Sequence, residues 1–264
     1  MEIIEIFDTS LLNSTLRMIT PILLAALGGL LCTRAGVFNI ALEGLMLTGA
    51  FTAVVGSFFL QSSFAGVMAG VLGGMLMAAL FGLLAVRLSG NMIALGVALN
   101  FLAMGLTTFL SRAVFGVKGV FSDPRILGIN PITIPVIDEI PILGSVFSGH
   151  SSVVYLSWLL VIISYIMLFH HPSGLRLRGV GEKPQASATL GVNVKATKFI
   201  AVILSGALCG LAGAQLSLGQ VTLFVENMSA GRGWIAVVAV MFGQAHPLGV
   251  FGASVLFGFF DALG

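Results

Sequence analysis

The sequence predicts an all-α fold, a polytopic membrane helical bundle, and three observations carry that prediction. Of 264 residues, 58% are hydrophobic and only 8% are charged, against roughly 25% charged in a soluble domain, and the mean hydropathy is +1.10. No soluble fold could cover so much apolar surface. Apolar runs of about 20 residues, the length that crosses a hydrocarbon core, recur along the chain. Glycine is abundant, at 34 residues, which suits membrane helices whose backbones approach closely and would weaken a soluble core.

About eight membrane segments follow, in a single transmembrane domain over 1–264. Residues 65–86, 92–110, 153–169 and 199–219 read as full spans. Residues 16–32 and 45–60 are shorter and share a compact polar link, so one of them is expected to enter the membrane without crossing it. Residues 233–243 are shorter still. They predict a re-entrant or broken helix, tolerable only where protein or a water-filled cavity covers its free backbone groups. Residues 248–264 begin another span, containing Asp261, and end without a polar tail, so a C-terminal continuation is expected. Gly66, Gly70, Gly74, Ala78 and Gly82 recur every fourth residue, and Gly206, Gly210 and Ala214 repeat the pattern. Such stripes let a neighbouring helix approach until backbones nearly touch.

Charge placement sets an expected orientation. Residues 170–198 hold Arg176, Arg178, Lys183, Lys195 and Lys198 with only Glu182 opposing them, so this link is expected in the cytoplasm. Counting spans backward puts Arg34 and Arg87 on the same side. The N-terminus, with Glu2, Glu5 and Asp8 and no basic residue before Arg17, falls outside and lacks the basic opening of a signal peptide. The link 111–152 also falls outside; it carries Asp123, Asp138 and Glu139 but also Arg112, Lys118 and Arg125.

The residue inventory argues against an enzyme. It lacks a zinc-spaced His/Glu pair, a nucleophile elbow and a phosphate-cradling G-x-x-x-x-G-K-[ST] loop. His170 and His171 are adjacent and cannot act as an i, i+4 ligand pair; they mark the end of a span. Cys32 and Cys209 sit in apolar runs as small hydrophobes. Any ATP used must be hydrolysed by another polypeptide.

Three polar clusters remain. Residues 181–191, with Pro184 and Gly191 at helix-start and helix-stop positions, read as one short surface helix or a solvated loop. Residues 33–44 lie just inside the cytoplasmic face, and residues 224–234 at the opposite face. The last two share a Phe, then Asn and Glu, then Gly and a returning apolar run, an arrangement compatible with an inverted repeat. Buried ionisable groups invite a functional reading, although Glu43 could equally pair with Arg34.

The run Gly36-Val37-Phe38-Asn39-Ile40-Ala41-Leu42-Glu43-Gly44-Leu45-Met46-Leu47 resembles the N-terminal signature of ABC importer permeases of the branched-chain amino acid, ribose and nucleoside group. Gly181-Glu182-Lys183-Pro184-Gln185-Ala186, followed by Leu190-Gly191, looks like that group's coupling segment. Glu226-Asn227-Met228-Ser229-Ala230-Gly231-Arg232-Gly233, with Phe242-Gly243 and His246-Pro247-Leu248-Gly249, is similar to the nucleoside and simple-sugar members. The resemblance implies a multi-pass subunit of a bacterial plasma membrane importer. Its implied partners are a second permease subunit, a cytoplasmic ABC ATPase that binds the ATP, an extracytoplasmic binding protein or lipoprotein, and membrane lipid; it implies no nucleic acid and no cofactor in this chain. Coupling to the ATPase then falls on Gly181, Glu182, Pro184, Ala186 and Gly191. The expected substrate path takes in Asn39, Glu43, Asn91, Asn100, Phe101, Glu226 and Asn227. Asn91 and Asn100 would hydrogen-bond a sugar or base and Phe101 would stack on it; interhelical hydrogen bonding and packing account for the same residues and are preferred. Sugar or branched-chain amino acid import is the alternative within the class. An ion-coupled transporter or channel, resting on Asp261 and Glu226, is the alternative outside it, and a membrane scaffold explains least.

Overall fold

The computed structural model describes residues 9–132 and 148–263; Glu2, Glu5, Asp8, Asp138 and Glu139 lie outside the described residues. Four long helices come first: α1 (Thr9–Arg34), α2 (Leu42–Leu60), α3 (Ser63–Gly82) and α4 (Met92–Phe115). After the link come α5 (Ser152–His170), α6 (Pro172–Glu182), α7 (Pro184–Thr189), α8 (Val194–Ala214), α9 (Arg232–Phe242) and α10 (Pro247–Leu263). π turns at Leu83–Arg87 and Gln215–Gln220 extend α3 and α8. Among the described residues, six helices are long and apolar enough to cross a membrane, and α9 and α10 are shorter apolar helices. The first two segments are longer as helices than as apolar runs: α1 has 26 residues and α2 has 19, about 39 and 28 Å at 1.5 Å per residue.

The centre of the bundle is built from the two glycine stripes, which face each other. A Cβ on Gly74 would meet the Gly206 carbonyl and come within 2.8 Å of Gly210 Cα, and one on Gly70 would come within 3.1 Å of Ala214 Cβ. On the other side, Gly49 of α2 lies against Gly210. Thus α2, α3 and α8 pack backbone to backbone. Apolar side chains such as Leu23, Leu27, Leu45 and Phe81 fill the space around them, all fully buried.

Proline and glutamine solve one backbone problem together. Pro21 inside α1 has no N–H to give the Arg17 carbonyl four residues earlier. The Gln220 side-chain amide donates to that carbonyl instead, at 2.9 Å.

One end of the bundle, the hairpin end, carries two short two-stranded sheets, of which only the second joins consecutive strands. Strand β1 (Val120–Phe121) pairs antiparallel with β4 (Phe224–Val225), and β2 (Pro131–Ile132) pairs with β3 (His150–Ser151). Phe51 packs edge-on to Phe224 at 5.2 Å, and Phe115 stacks on Phe121 at 3.8 Å. The Ser57 hydroxyl both donates to the Leu127 carbonyl and accepts its N–H. At this hairpin end, hydrogen bonds from the Arg125 side chain and backbone hold the Asp123 carboxyl below the usual aspartate range. The folded value being lowered, the pair's contribution is present above the ordinary aspartate pKa and is lost as pH falls through the lowered value. The protection factor of amides in the 123–126 turn, with the intrinsic pH dependence of exchange divided out, is expected to stay constant from pH 7 to about 4 and to fall below that.

The opposite end gathers basic side chains. Arg34 and Arg178 both lie over the Phe169 ring, at 5.8 and 4.8 Å, Lys198 donates to the Gly36 carbonyl, and Lys195 to that of Arg87. As expected, α5 ends at His170, and the His171 ring then caps α6 by accepting the Ser173 N–H.

Candidate functional site

Helix α9 positions the site. It has 11 residues, about 16 Å, or half of a ~30 Å hydrocarbon core. Its C-terminal end lies at the basic end, where Arg34 Nε donates to the Ala245 carbonyl at 2.6 Å. Its N-terminus therefore stops well inside the bundle, as a broken helix does. The orphan N–H groups there need an acceptor, and Glu43, in the first turn of α2, supplies it. The Glu43 carboxylate accepts from Gly231 N at 2.9 Å and from Gly233 N at 2.7 Å. A buried anion at a helix N-terminus is also favoured by the macrodipole.

This contact corrects two expectations. Glu43 does not pair with Arg34, whose guanidinium is turned to the 244–245 carbonyls. The second and third polar clusters also do not keep to opposite faces. The third begins at the hairpin end, where β4 pairs with β1, and descends until Gly231 and Gly233 reach Glu43. The reason is the left-handed Gly231, φ 85°, which turns the chain into α9 at depth.

Around this junction lies a cavity of about 260 Å³ that brings together Glu43, Asn100, Phe101 and Asn227. Trp234, 44% exposed, and Phe101, 65% exposed, are its aromatic walls. Asn100 is largely committed to structure: its Oδ1 accepts Gly44 N–H at 2.8 Å and its amide donates to the Ile40 carbonyl at 3.1 Å. A second cavity, about 360 Å³, follows α9 toward the basic end and is lined by Phe38, Asn39, Val237 and Met241. Trp234, Val237 and Met241 sit at i, i+3 and i+7, so one face of α9 borders both spaces. Asn39 is itself buried; its Oδ1 accepts Ala41 N–H at 3.0 Å and its amide donates to Ser205 Oγ at 3.2 Å.

Asn91 and Glu226 lie elsewhere. Asn91 caps α4, accepting the N–H of Ile93 and Ala94. Glu226 clips the hairpin end: its Oε1 accepts Gly119 N–H at 3.1 Å and lies 3.9 Å from Arg112. The sequence reading missed Trp234 as a wall and the ion pair between Arg232 and Asp261, 3.0 Å apart, which ties α9 to α10. A Trp one residue past the Gly-Arg-Gly turn was the available signal for the first. No local signal marks the second, because 29 residues separate the partners.

The expected coupling segment is divided between two helices. Gly181 and Glu182 end α6, and Pro184 and Ala186 belong to α7. Pro184 forces the break, since it offers no N–H and disfavours helical Lys183, which adopts φ −139°, ψ 79°. Of α7 itself only Ser187 is buried. Its end is a Schellman cap: Gly191 at φ +80° donates to Ala188, and Val192 N donates to the Ser187 carbonyl.

A half-length helix poised over an aromatic-walled cavity that holds a few polar groups, in a bundle whose described residues include six helices long and apolar enough to span, is the build of a membrane permease. Residues 11–264 match the family described as branched-chain amino acid transport system / permease component, and the chain belongs to that family. It is 37% identical to the guanosine ABC transporter permease protein NupQ of Bacillus subtilis, over 100% of this chain and 84% of that protein. It is 35% identical to the nucleoside ABC transporter permease protein NupC of Lactococcus lactis subsp. cremoris, over 92% of this chain and 78% of the relative. TsgC13 of Haloferax volcanii, provisionally named a glucose ABC transporter permease protein, is 38% identical over 97% of this chain and 77% of its own length. The chain is a multi-pass membrane transport component.

Proposed function

We propose that this chain forms the substrate path of an ATP-driven importer for nucleosides, and that cargo moves along α9 from the Glu43 cavity to the Asn39 cavity. The observation that carries the path is the junction of Glu43 with the N-terminus of α9, beside a space bounded by Phe101, Trp234 and Asn227. Two aromatic walls and an amide suit a planar base with polar edges. The names of the relatives NupQ and NupC support nucleosides as cargo. The basic end is cytoplasmic in this reading, in keeping with the positive-inside rule, and the hairpin end meets an extracytoplasmic binding protein in a bacterial plasma membrane. A second permease subunit completes the path.

Energy enters from a separate ATPase through α7. This helix is exposed and held by a glycine cap, so it can be gripped without disturbing the spans. Motion there would tilt α8, which follows directly, and open the path alternately to the two sides. Glu182→Trp or Gly191→Leu should lower both uptake and substrate-stimulated ATPase activity at least tenfold while the amount of permease in the membrane stays constant. The leucine also meets a left-handed backbone cost of about 1 kcal/mol, confined to an exposed turn. Unchanged uptake and ATPase activity in both variants would remove α7 as the docking element.

Sugar import is a second reading, favoured by the likeness to TsgC13. Uptake of a panel of labelled nucleosides and sugars, in cells with the complete transporter, separates the two. Ion coupling is disfavoured because Asp261 is held by Arg232 and Glu226 is engaged by Gly119 and Arg112.

A further inference from the structure

At the basic end, α3 and α8 part, and the gap has the layout of a lipid site. The two helices touch backbone to backbone at Gly74 and Gly206. Two turns further on, the Phe199 ring stands between them against Gly82, where a Cβ would come within 2.9 Å of it. The wedge opens a cavity of about 450 Å³ lined by Arg87, Asn193, Lys195, Phe199 and Ile200. The Arg87 guanidinium lies 5.0 Å over the Phe199 ring, and Lys195 Nζ reaches the Arg87 carbonyl at 3.5 Å. Among the described residues, neither cation forms an ion pair with a carboxylate.

We infer that this cavity binds the phosphodiester headgroup of an anionic phospholipid, with Arg87 and Lys195 as its ligands. Two cations sharing a cavity without a counter-ion attract a phosphate, and a free phosphate would satisfy them equally well. What selects a lipid is the strip beneath. Ile200 and Leu204 on α8, Leu80 on α3 and Leu83 in the π turn that extends it are 58, 42, 36 and 43% exposed. Ile200 lines the cavity itself; Leu204 lies one turn further along α8, and Leu83 and Leu80 lie one and two turns before Arg87, so these apolar side chains lead away from the cationic mouth, where an acyl chain of the same molecule would lie. Basic pockets between membrane helices on one face recognise lipid headgroups in this way. The site stands apart from the α9 path and does not depend on the cargo.

The test is native mass spectrometry of the intact, delipidated transporter titrated with phosphatidylglycerol, with phosphatidylcholine of identical acyl chains, and with inorganic phosphate. Phosphatidylglycerol should be retained at least tenfold more tightly than phosphatidylcholine and should not be displaced by millimolar phosphate. Arg87→Gln and Lys195→Gln should each lower that preference about fivefold. Arg87→Lys should keep most of it, and Lys118→Gln at the hairpin end should leave it unchanged. Equal retention of the two lipids would overturn the assignment. So would displacement by phosphate alone, or an undiminished preference in a folded Arg87→Gln/Lys195→Gln double variant.

Discussion

Gly210→Leu is expected to abolish the folded permease. The Gly210 Cα faces Gly74, and a Cβ there would run into the Gly70 carbonyl and lie 2.9 Å from Val71 Cα. These are backbone atoms and cannot rotate aside as a side chain can. Overpacking of a close-packed interior costs 1–3 kcal/mol where side chains can yield; here α3 and α8 must separate, and the cost should be about 3 kcal/mol or more. Because Gly210 also faces Gly49, the change spreads to α2. Thermal unfolding of the detergent-solubilised transporter, followed by size-exclusion chromatography, should show little or no monodisperse Gly210→Leu protein. Gly105→Ala in α4 is the matched control, because a Cβ there meets nothing within 4 Å. It should be neutral or stabilising by up to about 1 kcal/mol, as Gly to Ala in a helix usually is. A Gly210→Leu variant as stable as the parent would refute the backbone contact between α3 and α8.

The second large effect should come from Glu43. Glu43→Ala leaves the Gly231 and Gly233 N–H groups without the carboxylate that accepts them. Leaving a buried donor unsatisfied costs about 1–3 kcal/mol, so two of them give the start of α9 reason to unwind or move. Folding should survive, since the α2–α3–α8 core is untouched, but uptake should fall by tenfold or more. Glu43→Gln retains one acceptor oxygen and should fall between the two. Transport assays on variants matched for membrane abundance would measure this. Parental uptake in Glu43→Ala would show that the junction is not needed for the path.

Much of this architecture follows from local signals, because a bilayer imposes a length and a polarity on every spanning helix. The long runs and the glycine stripes need no knowledge of the rest of the chain. Which backbone each stripe meets is not local information: a row of small residues fits any closely packed neighbour, a second subunit included, and only the fold brings α3 against α8. The broken helix at 233–243 is equally local, too short to cross and too apolar for a loop. What escapes is the identity of distant partners. Glu43 and Arg34 are close in sequence and opposite in charge, yet the carboxylate is taken by backbone N–H groups nearly two hundred residues away. Backbone donors carry no side-chain signature, so no pattern announces them. Asn91 shows the converse: a polar residue at a span boundary looks available for substrate, but an unfilled helix N-terminus claims it. The division of the coupling segment at Lys183 was signalled by Pro184, which starts a helix and in doing so ends the one before it.

Uptake into proteoliposomes tests the central claim most directly. The permease should be reconstituted with its ATPase subunit and binding protein, supplied with a labelled nucleoside, and compared with vesicles lacking the ATPase or holding non-hydrolysable nucleotide. The account predicts accumulation against a gradient only in the complete, ATP-hydrolysing vesicles. Equal accumulation without the ATPase, driven by an imposed proton or sodium gradient, would contradict it.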